Sequence, residues 1–169
     1  MPRARSTIAQ DRSSLRTHGT PVITVMLGSM ATILPIIAVT PALPPFGLLL
    51  LLAWRLLRPE LWPLWIAVPL GLFDDIMSGQ PIGSAMFLWT VTLIGIEFSS
   101  SRLLWRDYWQ DWLIAAISIS FCILGGSYFA RLSAGGGSVL VVLPQIAWSI
   151  LLFPAVVRLC ALIDRWRLP

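Results

Sequence analysis

The sequence predicts an all-α integral membrane protein with six transmembrane helices and both termini in the cytoplasm. Three observations lead there. First, the chain of 169 residues is 57% hydrophobic, with a mean hydropathy of +0.81, against about 45–50% apolar residues in soluble domains. Second, the charges are confined to short intervals. None falls between Gly19 and Trp54, and none between Ile76 and Ile96. Runs of that length approach or exceed the roughly 20 residues that span a bilayer as a helix. They are apolar on every side, whereas a β-barrel strand alternates in polarity over segments of about 10 residues. Third, the basic residues fall on one side. With six spans and a cytoplasmic start, eleven of the twelve arginines lie on the inner side and only Arg131 lies outside, as the positive-inside rule demands. Five spans would move the C-terminal arginines outward and spoil that asymmetry.

The elements follow in order. Residues 1–20 are polar and carry Arg3, Arg5, Arg12 and Arg16; they read as a disordered basic cytoplasmic arm ahead of a six-helix membrane domain over 21–163. Span 1 covers about 21–40 and span 2 about 43–57, separated by Pro41, Pro44 and Pro45, since proline cannot continue a helical hydrogen-bond ladder. Span 3 covers about 61–77, span 4 about 84–100, span 5 about 112–130 and span 6 about 138–160. Span 2 is short for a full crossing. Trp54, Trp62, Trp65, Trp105, Trp109, Trp112 and Trp166 flank the inner ends, at the headgroup depth that amphipathic rings prefer; Trp89 and Trp148 lie deeper and read as packing residues. The second inner loop, Ser101 to Asp111, reads as a short interfacial helix with Leu104, Trp105, Tyr108 and Trp112 toward lipid.

The net charge of +4 does not point to nucleic acid, because the arginines are scattered between apolar runs and build no basic, aromatic-lined groove. Cys122 and Cys160 have neither a metal-ligand spacing nor a disulfide pattern and read as small buried hydrophobes. His18, the single histidine, lies in the polar arm. Adjacent carboxylates on a helix do not face each other, so Asp74 and Asp75 cannot share a proton as an aspartic protease pair does. No serine has a base beside it. The chain is therefore expected to be no enzyme and to need no cofactor or metal.

The acidic turn is the most informative segment. Residues 71–83 read G-x-x-x-D-x-x-S-G-x-x-x-G. On a helix Gly71, Asp75 and Ser78 or Gly79 share a face, small and polar, that turns into the bundle; Gly79-Gln80-Pro81 then ends the helix. Asp75 is expected to lock the turn through the backbone amides of 78–83 or to pair with Arg131; the competing reading is a ligand or partner site at the outer mouth. Asp74 points about 100° away, toward headgroups or water. Glu97, about one turn before the inner end of span 4, is expected either to snorkel toward Arg102 or to lock two helices together.

With Gly71, Asp75, Ser78, Gly79 and Gly83 in this order, a polar Arg-containing start and this span pattern, the chain resembles the MreD family of rod-shape-determining membrane proteins of bacteria. The doubled acid and the longer basic arm are departures, and the D-x-x-S-G spacing selects Asp75 as the matching acid. The resemblance implies a non-enzymatic multi-pass protein of the bacterial inner membrane, a scaffold of cell-wall elongation. It would bind an MreC-like single-span protein, actin-like MreB, and the peptidoglycan polymerase and transpeptidase, with lipid around it and no nucleic acid. Gly71, Asp74, Asp75, Ser78, Gly79, Gly83, Glu97 and Arg131 are its structural or partner-contact candidates. The family is also similar in fold to the substrate-binding subunits of energy-coupling-factor transporters. That similarity implies the alternative, a small-molecule-binding uptake subunit with a polar pocket built from groups such as Gln80, Gln145, Tyr128 and the acids.

Overall fold

The computed structural model describes residues 19–33, 43–102, 108–134 and 139–167. They form six helices: α1 (Gly19–Met30), α2 (Phe46–Leu57), α3 (Ala67–Ser78), α4 (Ser84–Arg102), α5 (Tyr108–Ala134) and α6 (Leu143–Arg167). Short 3-10 turns at Ala31–Ile33, Pro59–Leu61, Leu64–Ile66 and Val139–Val142 connect or extend them, and there is no strand among the described residues.

Most helix limits follow the apolar runs. The departures include α3, which begins only at Ala67 rather than near 61, α6, which runs on to Arg167 rather than 160, and α5, which begins at Tyr108, ahead of the expected start near 112. No breaker separates Tyr108 from Trp112, and Asp111 in the first turn complements the positive end of the helix dipole. The aromatic segment assigned above to an interfacial helix is thus divided. Tyr108 through Trp112 belong to α5, with Tyr108 exposed and Trp112 packed against the core. Leu104 and Trp105 lie outside the described residues. Residues 34–42, the expected end of span 1, lie outside them too.

The helices run alternately up and down. The last turns of α2, α4 and α6 gather at one end, where Arg55 pairs with Glu97 and Arg58 with Asp164. Their first turns gather at the other end. There the Gln145 carboxamide nitrogen donates to the Leu43 carbonyl at 2.7 Å, and the end of α3 turns directly into α4.

The short helix α2 is the centre of the bundle. Nine of its twelve residues are buried, from Gly47 through Leu56, which explains why its sequence is apolar all round. Trp54, expected at headgroup level, is instead fully buried, and its indole N–H donates to Thr24 Oγ1 at 2.9 Å, tying α2 to α1. Trp62 is buried as well, while Trp65, Trp109 and Trp166 are exposed as expected. Trp89 is buried, but Trp148 faces outward. The two longest helices behave differently from α2. Only 33% of the apolar window of α5 and 22% of that of α6 is buried inside the bundle, so both turn most of their hydrocarbon outward. Ile117, Phe121, Leu132, Leu151 and Leu159 are among the exposed side chains.

Glycines set the closest helix contacts. A Cβ on Gly28 would lie 3.1 Å from the Gly47 amide nitrogen, so α1 and α2 cross backbone to backbone. A Cβ on Gly71 would lie 2.6 Å from Met86 Cα and 2.7 Å from its amide nitrogen. That obstacle is helix backbone, which cannot rotate away as a side chain can. Gly71→Ala should therefore force α3 and α4 apart and destabilise the protein by about 1–3 kcal/mol, read as a lower thermal midpoint in detergent. Gly95→Ala, where nothing lies within 4 Å of the new methyl, should leave the midpoint unchanged or slightly raised.

Candidate functional site: the acidic turn between α3 and α4

α3 ends at Gly79, whose φ of 67° is the left-handed conformation that closes a helix at the lowest cost when there is no Cβ. Four residues later Gly83, at φ 98°, turns the chain into α4. Helix starts leave their first amides without partners, and a Ser, Thr, Asp or Asn just before the helix normally accepts from the second or third of them. Gly83 has no side chain with which to do so. Asp75, from the preceding helix, supplies the missing carboxylate.

Its two oxygens are fully engaged. Oδ1 accepts from the Ala85 amide at 2.8 Å and from the Ser84 hydroxyl at 2.9 Å. Oδ2 accepts from the Gly83 amide at 2.8 Å and the Met86 amide at 3.4 Å. The side chain is 1% exposed. A charge this deeply buried is tolerated only when it is hydrogen-bonded on every side. The negative charge also sits against the positive end of the α4 dipole.

The amides are those of 83, 85 and 86, not the whole 78–83 turn expected from the sequence. No ion pair joins Asp75 to Arg131, which is half-buried in the last turn of α5. Gly71 and Asp75 do share the buried face of α3. Ser78 is only half-buried and its hydroxyl finds no hydrogen-bond partner among the described residues, and Gly79 is exposed. The predicted stripe therefore narrows to Gly71 and Asp75.

Asp74 does not point toward solvent or headgroups, as its angular offset suggested. It is half-buried and sits beside the buried Ser29 of α1, across the glycine of α2. A Cβ on Gly47 would lie 2.2 Å from Ser29 Oγ and 3.0 Å from Asp74 Oδ1. Asp74 also lines a cavity of about 250 Å³ shared with Gln80, Trp89, Ser127 and Gln145.

Sequence reasoning missed the other polar centre. Arg55, read as a topology-setting loop charge, lies in the last turn of α2 and is 3% exposed. One guanidinium nitrogen donates to the Pro59 carbonyl at 2.8 Å and the Trp62 carbonyl at 2.7 Å; the other pairs with Glu97. Glu97 thus locks α4 to α2, the second of its two expected roles. Asp164, 8% exposed on α6, holds Arg58 at 3.0 Å. The available signal was positional: Arg55 precedes the breaker Pro59 by one helical turn, and Glu97 lies at a matching depth on a span running the same way.

No protein-family model matches the chain, and no curated protein or solved structure does so either.

The two centres respond differently to substitution. Asp75→Leu leaves three amides and a hydroxyl without their acceptor, each loss costing about 1–3 kcal/mol, so folded protein should fall sharply. Asp75→Asn retains one acceptor oxygen and should be milder, which membrane abundance and thermal melting in detergent will show. At the opposite end the penalties are unequal. Arg55→Met leaves the Pro59 and Trp62 carbonyls without their donor, each loss costing about 1–3 kcal/mol, while the Glu97 carboxylate it leaves behind, 56% exposed at the side chain, can be hydrated. Glu97→Gln takes the counter-charge from the buried guanidinium but keeps both of its carbonyl bonds and leaves an acceptor oxygen on residue 97, so it should cost less than Arg55→Met. Equal losses for the two variants would contradict the geometry.

Proposed function

We propose that this chain is a multi-pass scaffold of the bacterial inner membrane that holds partners of the cell-wall elongation machinery, as its resemblance to the MreD family implies. The observation that carries the reading is how Asp75 is used. The residues that make the resemblance, Gly71, Asp75, Ser78, Gly79 and Gly83, lie in one helix–turn–helix unit, and all but Ser78 have a part in its geometry. Its acid is committed to backbone amides and a neighbouring hydroxyl, so it holds structure and has no oxygen left over for chemistry.

The membrane setting rests on the outward apolar faces of α5 and α6. A water-exposed hydrocarbon surface of that extent would drive aggregation, whereas in lipid it is the solvated state. The shorter helices cross as parts of the bundle, lengthened by their 3-10 turns and surrounded by the longer ones. In this setting the Arg55–Glu97 and Arg58–Asp164 pairs lie at the cytoplasmic end, and the acidic turn lies at the outer mouth. Partner helices would pack on the exposed apolar faces.

The second reading, a small-molecule-binding uptake subunit, is favoured by one specific feature, the cavity lined by Asp74, Gln80 and Gln145 at the same mouth.

Topology reporters fused at residue 18, near 80, near 106, near 135 and at the C-terminus should read inside, outside, inside, outside and inside. Co-expression with an MreC-like single-span protein should yield a detergent-stable complex, and depletion in a rod-shaped host should round the cells. An external C-terminus would overturn the topology; normal rods after depletion would overturn the scaffold.

A further inference from the structure

We infer that the cavity at the acidic-turn end is a binding site for a small organic cation, an ammonium group carried on a compact apolar body, with Asp74 as its counter-charge. The inference stands on the cavity itself and goes beyond the scaffold reading, which survives if it fails.

Five helices contribute to the walls. Pro45 and Leu48 come from the start of α2, Asp74 from α3, Ala85, Leu88 and Trp89 from α4, and Gln145 from α6. On α5 the lining positions are 122, 123, 126, 127 and 130, one face over two turns, which makes the site about 12 Å deep at 1.5 Å per residue. Small side chains at Ala85, Gly126 and Ala130 keep it open. Gln80 leans over its rim, since a Cβ on Gly126 would lie 3.2 Å from Gln80 Oε1.

The volume, about 250 Å³, equals roughly eight waters at about 30 Å³ each and lies just below the range of drug-sized pockets, about 300–1,000 Å³. A single ring system fits, with a short chain.

The chemistry selects the charge. Among the described residues no arginine or lysine lines the cavity. Of the two acids, Asp75 is saturated by α4, whereas among the described residues Asp74 has no charged partner and stands beside the Ser29 hydroxyl, a neutral group across Gly47. A carboxylate in an apolar wall without a compensating charge is costly, and a bound cation removes that cost. Gln145 spends its amide nitrogen on Leu43, which leaves its carbonyl oxygen as an acceptor. Gln80 supplies another. A carboxylate and two amide oxygens match the three N–H donors of an ammonium group. Trp89, Leu48, Leu88 and Ile123 supply the apolar wall for the rest of the molecule.

The same ammonium chemistry is available from a free amine or from the headgroup of phosphatidylethanolamine. The full chain, purified in detergent and in nanodiscs, distinguishes them. Tryptamine and phenethylamine are titrated by calorimetry, with indole-3-propionate as a control of like shape and opposite charge. The amines should bind and the carboxylate should not. Asp74→Asn should weaken amine binding about tenfold or more, as loss of a charge-assisted contact does. Ala130→Leu, which fills the cavity without touching Asp74, should weaken it similarly and guards against an Asp74 variant that fails to fold. Native mass spectrometry then identifies the source: phosphatidylethanolamine that co-purifies and is displaced by tryptamine marks the lipid headgroup, and an empty site that fills with tryptamine marks a free amine. Failure of both amines to bind, equal binding of the carboxylate, or wild-type amine affinity in Ala130→Leu would overturn the assignment.

Discussion

One carboxylate holds the acidic-turn end of the bundle together. Asp75 belongs to α3 by sequence and to α4 by hydrogen bonding, where it replaces the cap that Gly83 cannot provide. Several other features depend on that cross-helix bond. Gly71 must lack a side chain so that α3 and the start of α4 can approach closely enough for it. Gly79 and Gly83 must accept positive φ so that the connection is short enough. Ser84 adds its hydroxyl to the same oxygen that accepts from the Ala85 amide. The α3–α4 pair consequently behaves as one prefabricated unit against which the remaining helices pack.

The opposite end is fastened by another device. There the buried charge is a cation, Arg55 in the last turn of α2, and its partners are the Pro59 and Trp62 carbonyls of the connection that follows, together with the carboxylate of Glu97 on α4. A helix C-terminus presents unsatisfied carbonyls and the negative end of the dipole, so a guanidinium suits it for the same reason that a carboxylate suits the start of α4. The bundle is thus closed at each end by a charge of the sign its helix termini require. Between the two ends the contacts are mainly apolar, with a buried polar contact between Thr92 Oγ1 of α4 and Cys122 Sγ of α5 at 3.2 Å, and include close backbone approaches such as Gly28 with Gly47. In lipid, where hydrophobic burial between helices is weak, such packing and a few buried polar bonds carry association.

The six-helix pattern was legible because charge gaps, proline breaks and turn glycines are local signals. Asp75 was legible in part: an acid at the end of an apolar run, followed by S-G-x-x-x-G, pointed to a turn-locking role, but its partners proved to be the amides of 83, 85 and 86 at the start of α4 and neither the whole 78–83 turn nor Arg131. Other features were not legible, because they depend on which helix ends up in the middle. Nothing local says that α2, the shortest apolar run, would be the core, and with it Trp54 and Arg55 change from surface markers to buried anchors. Likewise the 100° offset between Asp74 and Asp75 was correct, but the direction it implied was not, because α1 and α2 occupy the space to which Asp74 turns. Tyr108 to Asp111 were assigned to the loop when they belong to α5, because helix continuation and interfacial placement use the same residue types.

Hydrogen exchange at the backbone amides of Gly83, Ala85 and Met86 in the lipid-embedded protein tests the central claim most directly, compared between the native chain and Asp75→Asn. If Asp75 caps α4, the native amides will be protected like those in the middle of α4, and the substitution, which turns one acceptor oxygen into a donor, will speed exchange at the amides that lose their acceptor while leaving amides near Leu93 protected. Native amides at 83, 85 and 86 that already exchange as fast as the Gln80 loop would contradict the account, since the carboxylate would then not be holding the turn.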